Sequence, residues 1–146
     1  MEFKVNIYIE TYYKGPAVMD NAGMWLIEYI KSNGTPVTRS GIIHKDKTTE
    51  NALVLELLAA ALETLTKLCF VRVNTQCEHV LNTTQNHWLV QWKKNDWRNA
   101  KGKEIKNKEL WQKVSELMQL HVVSFCSGEH SYRKRMLFDL VQLMER

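Results

Sequence analysis

One segment of the chain concentrates the side chains that could bind phosphate groups. Four of the five tryptophans lie between Trp88 and Trp111, and basic residues alternate with them. Ammonium and guanidinium groups neutralise phosphates and release their counterions, while indole faces support a sugar or the local fold. This pattern is typical of a surface that binds a nucleic-acid backbone in a salt-dependent manner. We call residues 93–108 the basic segment; its cations are Lys93, Lys94, Arg98, Lys101, Lys103, Lys106 and Lys108.

The same segment also has a purely structural interpretation. Trp88 and Trp92 lie four residues apart and therefore share one face of a predicted helix. The tryptophans would then pack two helices together, and the lysines would only keep that surface soluble. We expect Trp88, Trp92 and Trp111 to be mainly structural, and the role of the basic side chains stays open at this point.

Composition and length bound the class of protein. A chain of 146 residues suits a single domain over residues 1–146, and a net charge of +4 favours an anionic partner. We expect a cytoplasmic protein, because neither a signal peptide nor a membrane-spanning apolar stretch is evident. The three cysteines lack metal-type spacing, so free thiols in a reducing compartment are expected at Cys69, Cys77 and Cys126.

The order of predicted elements indicates an α/β fold. Strands at residues 3–9, 24–31 and 38–44 are joined by short turns, which favours an antiparallel meander. A helix capped by Thr49 and running over residues 53–68 leads to a strand at 70–74, which a crossover would place parallel to the first. Further elements are a mostly helical stretch at 79–119, interrupted near 96–103, a strand at 121–126 and a helix at 132–144. We predict a five-stranded mixed sheet, three antiparallel plus two parallel strands, with helices on both faces.

A series of landmarks along this order resembles the type 1 ribonuclease H family. Glu10 ends a segment that resembles the first strand, and Thr48 to Leu53 resembles the start of the first helix. Gln76 follows a segment that resembles the end of the fourth strand. The basic segment, with Trp92 and Trp97, resembles the basic helical protrusion of bacterial-type members. In that family the protrusion grips the backbone of an RNA–DNA hybrid, so the resemblance implies this partner.

The resemblance also implies two-metal hydrolysis, in which four carboxylates hold two divalent ions. In this chain the four positions carry Glu10, Val54, Gln76 and Asp139, so only two acids remain. The resemblance therefore implies at most a weak Mg²⁺ or Mn²⁺ site at Glu10 and Asp139. We expect Glu56 to face solvent rather than replace Val54, because two helical residues rotate a side chain by about 200°.

Two further positions depend on the same resemblance. The family carries a mobile histidine in its last loop; Glu129 falls at that position, and His130, one residue later, is a candidate for the role. Asn51 matches one of two asparagines that touch the minor groove of the hybrid, and Glu50 replaces the other. The predicted nucleic-acid-binding residues are Asn51, Trp92, Lys93, Lys94, Trp97, Arg98, Lys101 and Lys106.

Three functions remain open from the sequence. The leading hypothesis is a degenerate ribonuclease H that binds an RNA–DNA hybrid or another duplex without efficient hydrolysis and without a cofactor. The second is an active, Mg²⁺- or Mn²⁺-dependent ribonuclease whose site is rebuilt from Glu10, Asp139 and either Glu78 or Asp20. The third is a protein-interaction module on the same fold, which would show no salt-dependent nucleic-acid binding.

Overall fold

A computed structural model describes residues 3–146 and contains one five-stranded sheet in the order β3-β2-β1-β4-β5. β2 pairs antiparallel with β1 and β3, whereas β4 pairs parallel with β1 and β5. The predicted mixed sheet is therefore confirmed, with β1 at its centre. The strands are β1 (Phe3–Thr11), β2 (Met19–Ile30), β3 (Pro36–Thr48), β4 (Cys69–Asn74) and β5 (Val122–Cys126).

Five helices connect and follow these strands within the described residues. The first begins as predicted, because the Thr49 side-chain oxygen accepts a hydrogen bond from the Ala52 N–H at 3.2 Å. No helix in residues 3–146 is long and apolar enough to cross a membrane. The helices are α1 (Glu50–Glu63), α2 (Glu78–Gln85), α3 (Trp88–Lys94), α4 (Lys108–Met118) and α5 (Arg133–Met144).

The helices cover both faces of the sheet, as predicted. On one face α1 and α4 close the main core, in which Ile7 of β1 and Trp111 of α4 are fully buried. On the other face Met136 and Leu140 of α5 pack against β2. α1 approaches β2 closely at Gly23, where an added Cβ would lie 2.4 Å from a methyl carbon of Leu57. Glycine at this position lets the helix and the sheet come into contact.

Several predicted bounds were wrong, and each has a physical reason. α1 ends at Glu63 rather than residue 68, because the Thr64 hydroxyl donates to the Ala61 carbonyl at 2.8 Å and competes with the next helical turn. β3 extends beyond the predicted range at both ends, since its outer residues pair with β2 through the backbone while most of their side chains stay exposed. β2 begins earlier than predicted, at Met19, because Asn21 and Gly23 pair with β3 and are buried although neither carries an apolar side chain. Such residues have no apolar alternation from which a strand could be predicted.

Two neighbouring strands are joined at their start by a partly buried histidine. The Cys69 N–H donates to Nδ1 of His121 at 3.1 Å, so this ring nitrogen must be unprotonated. Burial lowers the pKa of His121 below the value of 6.5 for a free histidine. His121 in the folded protein therefore binds a proton less readily than His121 in the unfolded chain does. The stability that depends on neutral His121 is complete above about pH 6.5 and is lost as the pH falls through the lower folded pKa.

We expect the free energy of unfolding to fall between pH 7 and pH 5, and to fall less in His121→Asn. Asparagine retains a side-chain acceptor for the Cys69 N–H but has no titrating group. Urea denaturation of both proteins at several pH values measures the difference. His87→Asn is the matched control, since His87 is exposed and its φ of 59° suits asparagine. Identical pH profiles for the wild type and His121→Asn would contradict the assignment.

Candidate active site and basic surface

Glu10 lies near the end of the central strand β1, and its side chain is completely buried. One carboxylate oxygen, Oε2, lies 2.9 Å from Nε2 of His130. The other, Oε1, lies 3.5 Å from Nζ of Lys14 and 3.6 Å from Nε of Arg133. A buried carboxylate is tolerated only with such compensation, because an isolated charge in the interior costs several kcal/mol. We call these four residues the Glu10 ion cluster.

The loop that carries His130 is fixed at both ends. The Gln76 side-chain N–H₂ donates to the Gly128 carbonyl at 3.0 Å, which joins the loop to the end of β4. The His130 ring stacks on Tyr8 with ring centroids 4.3 Å apart. Since a carboxylate only accepts, Nε2 of His130 carries the proton in its hydrogen bond to Glu10. Glu129, in contrast, is exposed and pairs with Arg133, so His130 is the loop residue that reaches the first acid.

None of the three other predicted acid positions is among the charged contacts of Glu10. Val54 is buried in the main core and offers only hydrocarbon. Asp139 is partly exposed and pairs with Arg135 at 3.2 Å. The residue of α5 that contacts Glu10 is Arg133, and six helical residues rotate a side chain by about 240°. Asp139 therefore lies on a different face of α5 from the residue that contacts Glu10. Glu56 pairs with Lys45 on β3 at 3.6 Å and does not replace Val54.

These residues do not fit a pair of divalent ions. Mg²⁺ requires several oxygen ligands in octahedral geometry, and two ions require several carboxylates. Here the single buried carboxylate is already in contact with Lys14, His130 and Arg133. A divalent ion beside Glu10 would meet the positive charges of Lys14 and Arg133 at short range in a poorly screened interior.

One group of potential metal ligands does occur within residues 3–146, away from the Glu10 ion cluster. Asp20, His44 and Asp46 are all exposed on β2 and β3, and their ligand atoms lie within 4.8 Å of one another. Nε2 of His44 contacts the Asp20 carboxylate at 2.7 Å. Asp20 therefore belongs to this surface group rather than to the Glu10 ion cluster.

Asn51 and Gln76 line one cleft of about 370 Å³ together with Lys14, Glu50 and Glu78. The Cys77 thiol donates to Oδ1 of Asn51 at 3.2 Å, and burial raises the pKa of this thiol to about 11, so it stays protonated. Burial likewise raises the pKa of Glu50, whose carboxylate accepts the Gly15 N–H at 3.1 Å. The cleft thus brings together two predicted site residues that lie far apart in the sequence.

In and beside the basic segment, the tryptophan side chains pack towards the core, whereas the charged side chains face solvent. Trp92 and Trp97 are partly buried against the main core, and Trp111 is fully buried. Asp96 and Trp97 both have left-handed backbone, with φ of 55° and 59°, which turns the chain sharply after α3. The Trp97 carbonyl accepts the Ile105 N–H at 3.1 Å and holds the following loop. The exposed cations are Lys93, Lys94, Arg98, Lys101, Lys103 and Lys106.

A series of packed rings connects the basic segment to the Asn51 cleft. The Trp92 and Trp111 rings lie 5.9 Å apart in an edge arrangement, and His79 meets Trp111 at 6.0 Å. His79 also lines the cleft. These tryptophans are therefore structural, as expected for Trp92 and Trp111, and they hold the basic segment at a fixed position relative to the cleft.

Neither Lys14 nor Arg133 was predicted from the sequence to be a site residue. Arg133 begins the basic triplet 133–135, directly after the last loop, which is the one signal that could have drawn attention to it. No local pattern, however, pairs a residue at the start of the chain with one at the end. The contact becomes visible only when α5 is placed against β1.

The chain matches a known family over most of its length. The family model described as RNase H matches residues 5–127. A ribonuclease H from Lachnoclostridium phytofermentans is 31% identical over 123 residues, which cover 84% of this chain and 78% of the relative. One from Clostridium botulinum is 38% identical over 78 residues, which cover 53% of this chain and 52% of the relative. The chain thus spans about half the length of this second relative.

A solved structure shares the fold. The crystal structure of LC9-RNase H1, a type 1 RNase H with the type 2 active-site motif, superposes with a TM-score of 0.76 at 18% identity. The superposition covers 98% of this chain and 71% of that one. Sheet order, matched residues and relatives agree, and the chain belongs to the RNase H family.

Proposed function

We propose that the chain binds the sugar–phosphate backbone of an RNA–DNA hybrid, or of a similar duplex, and does not hydrolyse it efficiently. One contrast carries this proposal. The cations of the basic segment are exposed and available, whereas the first catalytic position is enclosed in an ion cluster. Such a chain retains the means of attraction to nucleic acid and lacks the usual means of cleavage.

Charge distribution supports the binding part of the proposal. The basic segment has seven basic residues against Asp96 and Glu104, although the net charge of the whole chain is only +4. Outside this segment, acidic side chains slightly outnumber basic ones. A localised cluster of this kind attracts a polyanion more strongly than the same net charge spread over the surface.

The chemistry of the site supports the second part. Two-metal hydrolysis needs ions that position a water molecule and stabilise the leaving oxygen. Val54 supplies no ligand, Gln76 supplies a neutral amide that is already bound to Gly128, and Glu10 is compensated by cations of the chain itself. Efficient cleavage would therefore require a metal site that this arrangement disfavours.

The double variant Lys93→Glu/Lys94→Glu should bind an RNA–DNA hybrid at least about tenfold more weakly than the wild type, because two phosphate contacts become repulsive. The slope of log affinity against log salt should fall by about 0.9 for each lost contact. Fluorescence anisotropy with a labelled hybrid over a series of NaCl concentrations measures both quantities. The matched control is Lys31→Glu/Lys47→Glu, which reverses two exposed lysines outside the basic segment. Equal effects of the two double variants would contradict a localised binding surface and favour a protein-interaction module.

Incubation with the hybrid and Mg²⁺ or Mn²⁺ should leave the RNA strand intact while the protein retains the hybrid on a native gel. The physical reason is the lack of metal ligands around Glu10. Asp139→Asn, prepared in parallel, tests the remaining acid. Cleavage by the wild type that disappears in Asp139→Asn would show that a metal site has been rebuilt and that the chain is an active ribonuclease.

Glu10→Gln should lower the free energy of unfolding by about 3 kcal/mol, because neutralising the buried carboxylate leaves the surrounding cations uncompensated. The sign of this stability change distinguishes the ion cluster from a metal site. In a metal site without its ions the carboxylates repel one another, so neutralising one of them would stabilise the protein. Urea denaturation in the presence of EDTA measures it. Asp139→Asn serves as the control and should change stability by less than about 0.5 kcal/mol, as expected for a partly exposed ion pair. Unchanged or increased stability of Glu10→Gln would refute the ion cluster.

A further inference from the structure

A second cleft, separate from the Asn51 cleft, opens on the α5 side of the sheet. α5 packs against β1 and β2, and a polar cleft of about 270 Å³ lies beyond it over β4 and β5. Tyr8, Asn74 and Cys126 are aligned across β1, β4 and β5 and form its floor. The last loop, through Ser127 and His130, forms one wall. The cleft therefore rests on three paired strands and has a rigid base.

Two buried acceptors line this cleft without a hydrogen-bond partner. Oδ1 of Asn74 has none, although the residue is only 8% exposed. Nδ1 of His130 also has none, and that side chain is 5% exposed. Because Nε2 of His130 donates to Glu10, Nδ1 of the neutral ring is an acceptor. Unpaired buried acceptors are costly and are uncommon in folded proteins, so both atoms indicate a ligand that donates hydrogen bonds.

A free cation completes the lining. Arg72 precedes Asn74 by two residues on β4, so its side chain lies on the same face of the sheet. Its guanidinium is exposed and has no ion-pair partner within the described part of the chain. Glu129, the acid that also lines the cleft, is paired with Arg133. The cleft thus offers two hydrogen-bond acceptors at its base and one uncompensated positive charge at its edge.

We propose that this cleft binds a ribonucleotide with a free pair of vicinal hydroxyls, either a free nucleotide or the 3′ end of an RNA strand. The two ribose hydroxyls donate to Oδ1 of Asn74 and Nδ1 of His130, and the phosphate lies against the Arg72 guanidinium. A deoxyribonucleotide lacks one of these donors and leaves a buried acceptor unpaired, which sites of this type reject strongly. The choice of a nucleotide among phosphorylated sugars rests on the proposed function, whereas the diol and phosphate follow from the cleft itself.

The test is calorimetric titration of the full chain with adenosine monophosphate, with 2′-deoxyadenosine monophosphate and with a short single-stranded RNA. We expect adenosine monophosphate to bind at least about tenfold more tightly than its deoxy counterpart. RNA with a free 3′ end that binds more tightly than adenosine monophosphate identifies a strand end as the ligand. RNA that binds no better identifies a free nucleotide. Either result supports the site, whereas equal binding of the ribo and deoxy forms, or no binding of either, would overturn it.

Two variants assign the effect to the cleft. Arg72→Met should abolish measurable binding of the nucleotide, and Arg39→Met, an exposed arginine on β3, should leave it unchanged. Asn74→Ala should weaken binding of adenosine monophosphate at least about tenfold without lowering the thermal midpoint, because it removes an unpaired buried acceptor. A purely structural asparagine would lower that midpoint. Nucleotide binding that persists in both Arg72→Met and Asn74→Ala would overturn the proposal. Binding of the RNA–DNA hybrid is measured on the same proteins. A chain that binds the hybrid but no nucleotide would refute the proposed nucleotide site alone and would leave the proposed function standing.

Discussion

A carboxylate with no access to water has to be neutralised by its surroundings, and this requirement at Glu10 organises the site. Lys14 comes from the loop after β1, His130 from the last loop and Arg133 from α5. Each of these segments is held in place partly by its contact with the same two oxygen atoms. Side chains of the chain itself therefore neutralise this acid.

The proposed function separates two properties that a nuclease combines. Attraction to a polyanion depends on exposed charge and needs no exact geometry, so the basic segment can retain it with only its tryptophans fixed. Hydrolysis depends on ligands placed to within a fraction of an ångström, and a few replacements are enough to remove it. Val54 fits this proposal, because its hydrocarbon side chain packs in the main core and offers no oxygen to a metal ion.

The sequence predicted the sheet, the order of elements and the capping of α1 because these follow from local alternation and helix-start chemistry. It predicted the extent of β2 and β3 poorly, since Asn21 and Lys45, which lie outside the predicted strands, pair through their backbone and carry no apolar pattern. It indicated His130 only through the resemblance, and it gave no indication that Lys14 and Arg133 are the other partners of Glu10. Contacts that join residues 120 positions apart depend on the packing of α5 on the sheet, which no local signal specifies. The same limit applies to the cleft at Asn74, which exists only where α5 leaves β4 uncovered.

Glu10 and His130 lie 120 positions apart in the sequence, and this has a consequence for how the protein folds. β1 is the central strand, yet two of the three partners of Glu10 come from the last loop and α5. Before α5 packs on the sheet, Glu10 therefore lacks two of these partners and depends on water and Lys14. Long-range contacts of this kind slow folding, because the loop entropy is lost before the contact is gained. The last helix consequently acts as a closing element, and a chain that ends before Arg133 would lack both the closure and the neutralising charge.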